Sequence, residues 1–341
     1  MKIKTLKNIS FLLLIWVFLS HCHAQQEAQF TQYMFNKMSY NPGYAGTSGS
    51  ICLTGLYRDQ WMGLSLDPPT PGGSGGVTPR NFLFTFDLPI SFLHGGLGAT
   101  FLSDQVGYTS STAINIDYAF HFNWAMGVLS VGLEAGILNS TMDFGNYVGG
   151  DDLTGDPSNP TVGSSDDPLL KEGSKSDMLT DFSFGLFYQI PGRAYVGLSM
   201  KNLLAAKSDE LNIQNTRCVY MMGGYEYALP TSPSYRIMPS FLLKTADFSL
   251  YQIDLSCLVE YQRLVWGGLS YRVNDAIAVL AGVNWNKMRL GISYDFTTSA
   301  LGGISKEGRS KGSMELYLRY CFKVIIPPKP PSSYQNTRYL L

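Results

Sequence analysis

Charge is scarce in this chain. Asp, Glu, Lys and Arg make up 15% of its 341 residues, against roughly 25% in ordinary soluble domains. Disordered chains are rich in charge and poor in aromatics, so low charge beside 13% aromatics excludes disorder. Long apolar runs are also missing. No interior stretch reaches the ~18 consecutive apolar residues of a membrane-crossing helix. Five cysteines are too few for a disulfide scaffold of this length. Beyond the leader only His94 and His121 remain, so a multi-histidine metal site is not available. No G-x-S-x-G elbow, Walker loop or Cys-x-x-Cys is present, which argues against an enzyme. What is plentiful is Gly (35), Tyr (21) and Phe (19). That mixture fits a β-rich protein whose strands face an apolar medium.

The first residues read as a secretory signal peptide, 1–24. Lys2, Lys4 and Lys7 form a basic start, Ile9 to Leu19 an apolar stretch, and Cys22-His23-Ala24 a cleavage site before Gln25. A lipoprotein anchored on Cys22 is the rival reading, disfavoured by the bulky His21. Cleavage removes three lysines and no acid, taking the net charge from −1 to −4. An acidic exported chain is a poor nucleic-acid binder.

Beyond the leader the chain alternates with period two. Tyr251, Ile253, Leu255, Cys257, Val259 and Tyr261 interleave with Gln252, Asp254, Ser256 and Glu260. Successive side chains of a strand point to opposite faces, so such a segment has one apolar and one polar face. Segments of this kind lie at 50–59, 79–88, 95–103, 111–122, 127–140, 178–190, 194–203, 216–228, 234–244, 248–261, 264–272, 276–286, 288–298 and 312–323. Most are about 9–13 residues long, near the ~9–11 a tilted strand needs to cross a bilayer. Connections after the even segments are short, as at 191–193 and 262–263, whereas 60–78, 141–177, 204–215 and 299–311 are long. These features predict an all-β transmembrane antiparallel barrel of about 14 strands, with short periplasmic turns and longer extracellular loops. Phe86, Phe122, Tyr188, Tyr227, Tyr261, Trp285 and Phe322 would form an outward aromatic girdle at the periplasmic interface. The inward set carries Asp117, His121, Glu134, Lys201, Arg236, Asp254, Glu260, Asp295, Glu315 and Arg319. Such a lumen suits either a water-filled or a plugged pore.

Several motifs sit in a fixed order. Gln29-Phe30-Thr31-Gln32-Tyr33-Met34-Phe35-Asn36 precedes Asn41-Pro42-Gly43-Tyr44-Ala45-Gly46, and the first strand ends in Tyr57-Arg58-Asp59-Gln60-Trp61-Met62-Gly63. Tyr294-Asp295-Phe296-Thr297, Gly312-Ser313-Met314-Glu315-Leu316 and Tyr320-Cys321-Phe322 follow near the other end. With these motifs the mature chain resembles the PorP/SprF family of Bacteroidota outer-membrane proteins. The resemblance implies a non-enzymatic partner in type IX secretion and gliding, without cofactor. Its implied partners are a large secreted adhesin, held by its C-terminal domain, and periplasmic or lipoprotein secretion components. A channel for small solutes is the alternative.

The candidate partner-binding residues follow from this layout. Phe30, Tyr33, Met34 and Met38 fall at helical spacing, predicting a short amphipathic helix. With Asn36, the Asn41-Pro42-Gly43 turn and Tyr44, they belong to a segment 25–48 that caps or enters the periplasmic mouth. Arg58 and Trp61 lie where the first strand (barrel 49–323) meets the outer rim. Arg58 suits a carboxylate-rich partner, although pairing with a lumen acid is the preferred reading. Asp151 and Asp152 belong to an acidic loop that offers a cargo-facing surface. Calcium is a weaker reading there, since no EF-hand spacing is present. Pro327 and Pro328 stiffen a tail, 324–341, that projects into the periplasm. Cys52 and Cys321 come together if the barrel closes, but a bond needs Cα atoms within ~7 Å. The expectation is that they stay unbonded.

Overall fold

The computed structural model describes residues 28–63, 78–144, 173–299 and 310–323. Residues 1–27 with the expected leader, Asp151 and Asp152, and the tail with Pro327 and Pro328 lie outside the described residues. The chain forms a closed antiparallel barrel of 14 strands in meander order. They are β1 (Ser50–Asp59), β2 (Arg80–Ile90), β3 (Gly95–Val106), β4 (Thr109–Trp124), β5 (Gly127–Asp143), β6 (Ser174–Ile190), β7 (Ala194–Lys201), β8 (Cys218–Tyr225), β9 (Ser232–Ala246), β10 (Leu250–Tyr261), β11 (Val265–Arg272), β12 (Ala276–Trp285), β13 (Met288–Thr297) and β14 (Ser313–Lys323). The barrel closes by pairing β1 with β14, from Ser50↔Lys323 to Asp59↔Met314.

Polarity explains the wall. On β10, Tyr251, Ile253, Leu255 and Val259 are exposed on the outer face, while Asp254, Ser256 and Glu260 are buried within. An apolar exterior over a polar interior is the arrangement of a membrane barrel. A closed sheet also leaves no unpaired edge in lipid. The expected girdle is present on the outer surface: Phe122, Tyr227, Tyr261, Trp285 and Phe322 are exposed, and Phe86 and Tyr188 half-exposed.

Two local departures from the sequence reading have physical causes. Strands β5 and β6 run further outward than expected, pairing from Val128↔Gln189 to Asp143↔Ser174. Their outer ends carry Ser, Thr, Asn and Asp, so apolar alternation gives no signal there. The segment expected at 216–228 is split. β8 resumes at Tyr227–Leu229 after a lapse opposite Pro239, whose nitrogen has no hydrogen to donate to the ladder.

The seam corrects one expectation outright. Cys52 and Cys321 are directly opposed in the β1–β14 ladder and form a disulfide, with Cα atoms 4.2 Å apart. Direct cross-strand register supplies the proximity that was doubted.

Candidate functional site

Residues 28–49 lie inside the barrel. The residues leading to β1 are almost all buried: Phe30, Tyr33, Met34, Phe35, Met38, Tyr40 and Tyr44 form one core with Phe187, Tyr220, Trp266 and Tyr317 of the wall. The expected amphipathic helix is not formed. Residues 31–40 make successive tight turns, and the one 3-10 helix described in this segment is Pro42–Tyr44, capped by Asn41 Oδ1 accepting from Gly43 N at 2.8 Å. A helix this short is marginal by itself, and the wall holds another path: Glu315 accepts from Thr31 N (2.8 Å) and Gln32 N (2.9 Å), and the apolar side chains pack outward on several sides against Phe187, Tyr220, Trp266 and Tyr317.

The segment passes well beyond the periplasmic mouth. Near its periplasmic end, Gly46 N donates to Asp87 at 2.5 Å and His121 Nε2 meets Ala45 O at 2.8 Å. Tyr44 packs edge-on against Phe187, 5.4 Å between centroids, and accepts from Arg319 at 3.2 Å. Asn41 Nδ2 donates to Leu186 O at 2.9 Å. Asn36 bonds within the segment, to Ser39 Oγ at 2.7 Å. Lys201 Nζ holds Ser39 O at 2.9 Å, and Ser199 Oγ holds Tyr40 O at 2.5 Å. Higher up, the Tyr33 hydroxyl reaches Ser240 Oγ and Asp254 O, each at 3.3 Å. Two close approaches show why lumen glycines are needed: a Cβ on Gly132 would strike Pro42 and Gly43, and one on Gly96 would strike Gly46.

The outermost anchor is electrostatic. Arg58, 1% exposed, reaches Asp295 at 2.8 Å and Glu315 at 3.2 Å, and donates to Thr31 Oγ1 at 2.9 Å. Arg272 adds contacts to Asp254 (3.2 Å) and Asp295 (3.6 Å). Buried charges persist when paired and hydrogen-bonded, and Thr31 completes this set. A second network lies toward the periplasm, where Glu260 joins Arg236 and Arg289 (3.0 Å), and the Arg289 guanidinium lies 4.7 Å from the Phe35 ring centre.

The structure therefore brings Phe30, Tyr33, Asn36, Asn41, Pro42, Tyr44 and Arg58 together within the lumen. Trp61 stays apart at the rim, its backbone N–H donating to Ser313 Oγ at 3.0 Å. Arg58 pairs with lumen acids, the preferred sequence reading. Arg272, Asp87 and Arg289 belong to the networks and were missed. Each shares the parity of an inward face and stands near a strand end, where alternation has few neighbours to reveal it.

A family profile for the type IX secretion system membrane protein PorP/SprF matches residues 22–320. This chain belongs to the PorP/SprF family. With the barrel and its apolar belt, that membership places the PorP/SprF protein in the outer membrane. It also places it among secretion-associated barrels rather than in an enzyme family. Solved structures similar to it include Acinetobacter baumannii outer membrane protein Omp33, at 6% identity and TM-score 0.43 over 80% of this chain and 98% of that one. The translocator domain of autotransporter NalP from Neisseria meningitidis matches at 11% and 0.40, over 86% and 96%. The CymD monoaromatic hydrocarbon channel matches at 11% and 0.44, over 85% and 93%. These similarities decide nothing about function. No curated protein matches this PorP/SprF chain.

Proposed function

We propose that this barrel is a non-enzymatic component of type IX secretion and gliding that exports or anchors a large surface adhesin. Its outer loops or lumen hold the adhesin's C-terminal domain, and its periplasmic face contacts periplasmic or lipoprotein secretion components. The observation that carries this reading is the lumen filling. Residues 28–49 are tied to the wall from Asp87 to Arg58, an arrangement suited to a scaffold rather than a pipe. Family membership supports the secretion context.

The test is affinity purification of the tagged protein in mild detergent, followed by mass spectrometry and planar-bilayer recording. The expected result is recovery of a large surface protein or periplasmic secretion components, and no conductance steps. Recovery of the barrel alone, with steady open-pore steps, overturns the proposal in favour of a solute channel.

A further inference from the structure

The segment does not fill the whole lumen. Toward the outer rim a cavity of about 390 Å³ remains, between Phe30, Ser39 and Tyr40 on one side and strands β2 to β8 on the other. That volume lies in the range of small-ligand sites, roughly 300–1,000 Å³. It reaches outward to Val106, Thr109 and Met142, at the outer ends of β3, β4 and β5.

The lining is unbalanced. Among the described residues its charged members are Asp104, Glu134 and Asp181 against Lys201. Glu134 is 5% exposed. Its Oε1 accepts from Ser183 Oγ at 2.7 Å and lies 3.5 Å from Lys201 Nζ. Its Oε2 has no hydrogen-bond partner among the described residues, and neither has Thr100 Oγ1, also buried and on the cavity wall. Asp117 stands opposite Glu134 in the β4–β5 ladder, fully buried, and the two carboxyl groups face each other at hydrogen-bonding range. Lys201 already serves Glu134 and Ser39 O. Two buried acids facing each other repel when both are ionised, so a further cation beside Glu134 would stabilise the pair. Leu83, Leu102, Leu138 and Leu179 supply apolar surface around the same space.

From these observations we infer that the outer cavity is a binding site for a primary ammonium group on an aliphatic stem. The ammonium donates to Glu134 Oε2, and the stem lies on the leucines. A lysine side chain of a peptide and a free alkyl diamine share this chemistry. The inference is independent of the secretion role.

Calorimetry on the full mature protein in detergent tests it with two probes, 1,5-diaminopentane and N-acetyl-lysine methylamide. The neutral controls are 1-pentanol and N-acetyl-norleucine methylamide. At least one amine is expected to bind at least tenfold more tightly than its control. Binding of the lysine derivative alone assigns the site to a peptide, and binding of the diamine alone to a free amine. Glu134→Gln should weaken binding at least tenfold. Glu134→Asp, which keeps the charge but draws it back from the cavity by one methylene, should weaken it severalfold and serves if Glu134→Gln does not fold. Amines binding no better than their neutral controls, or binding unchanged in the folded variants, would overturn the inference.

Discussion

Arg58 stands directly opposite Glu315 across the seam that closes the barrel, and its guanidinium also reaches Asp295 on the next strand. One side chain thus links β1, β13 and β14, and through Thr31 Oγ1 it fixes the internal segment as well. Seam and plug share an anchor, so loosening one should loosen the other.

Arg58→Ala leaves Asp295 and Glu315 buried with their main counter-charge gone. Removing one partner of a buried pair costs about 3–5 kcal/mol. The variant should show a lower denaturant midpoint in detergent and faster proteolysis of residues 28–49. An unchanged midpoint would mean the acids are neutralised some other way. Asp295→Asn should be milder, because Arg58 keeps Glu315.

The internal segment is also held by shape. Gly132→Val should drive a side chain into Pro42 and Gly43, and Gly96→Val one into Gly46. Overpacking of this kind costs about 1–3 kcal/mol. The expected outcome is an intact barrel on a heat-modifiability gel, with residues 28–49 newly sensitive to protease and ion conductance newly present. A silent bilayer with the segment released would show that it is not the barrier to ions.

The barrel itself was legible because its two faces meet opposite media, so outward Tyr251, Ile253 and Leu255 alternate cleanly with inward Asp254 and Ser256. The same cause hid the outer ends of β5 and β6, where both faces are wet and polar. The lumen charges could be named from parity, yet their pairing depends on which strands meet across the interior. Arg58 shows this, since its contact with Asp295 skips over β14. Phe30, Tyr33, Met34 and Met38 misled for a related reason. Their spacing reflects burial all round against Phe187, Trp266 and Tyr317, not one face of a helix. The abundance of glycine was visible, but its use at Gly96 and Gly132 needed the segment in place.

The lipid face offers a position-specific test. Leu269 on β11 is 59% exposed on the outer surface, paired with Val279. Arginine near the middle of a barrel's lipid face costs about 2–4 kcal/mol and much less near the interfaces. Leu269→Arg should therefore destabilise the barrel in lipid vesicles by that amount. Arginine at Trp285, in the girdle, should cost less than about 1 kcal/mol for the charge alone. Equal losses at the two positions would contradict the placement of the membrane belt.

The disulfide ties the two ends of the sheet. It joins residues 269 positions apart in the chain, so it restricts nearly the whole unfolded barrel. Loop-closure entropy for so large a ring sets an upper value of about 5.6 kcal/mol. Cys52→Ser with Cys321→Ser should still close, because the β1–β14 ladder and the Arg58 contacts remain. Its unfolding temperature should fall to that of the reduced wild-type protein, and reductant should then have no further effect. Intact mass checks the bond directly: reduction should add two hydrogens to the wild type and none to the double variant. If the wild-type mass does not change on reduction, the two thiols are unbonded in the folded protein and the seam relies on its hydrogen bonds and on Arg58 alone.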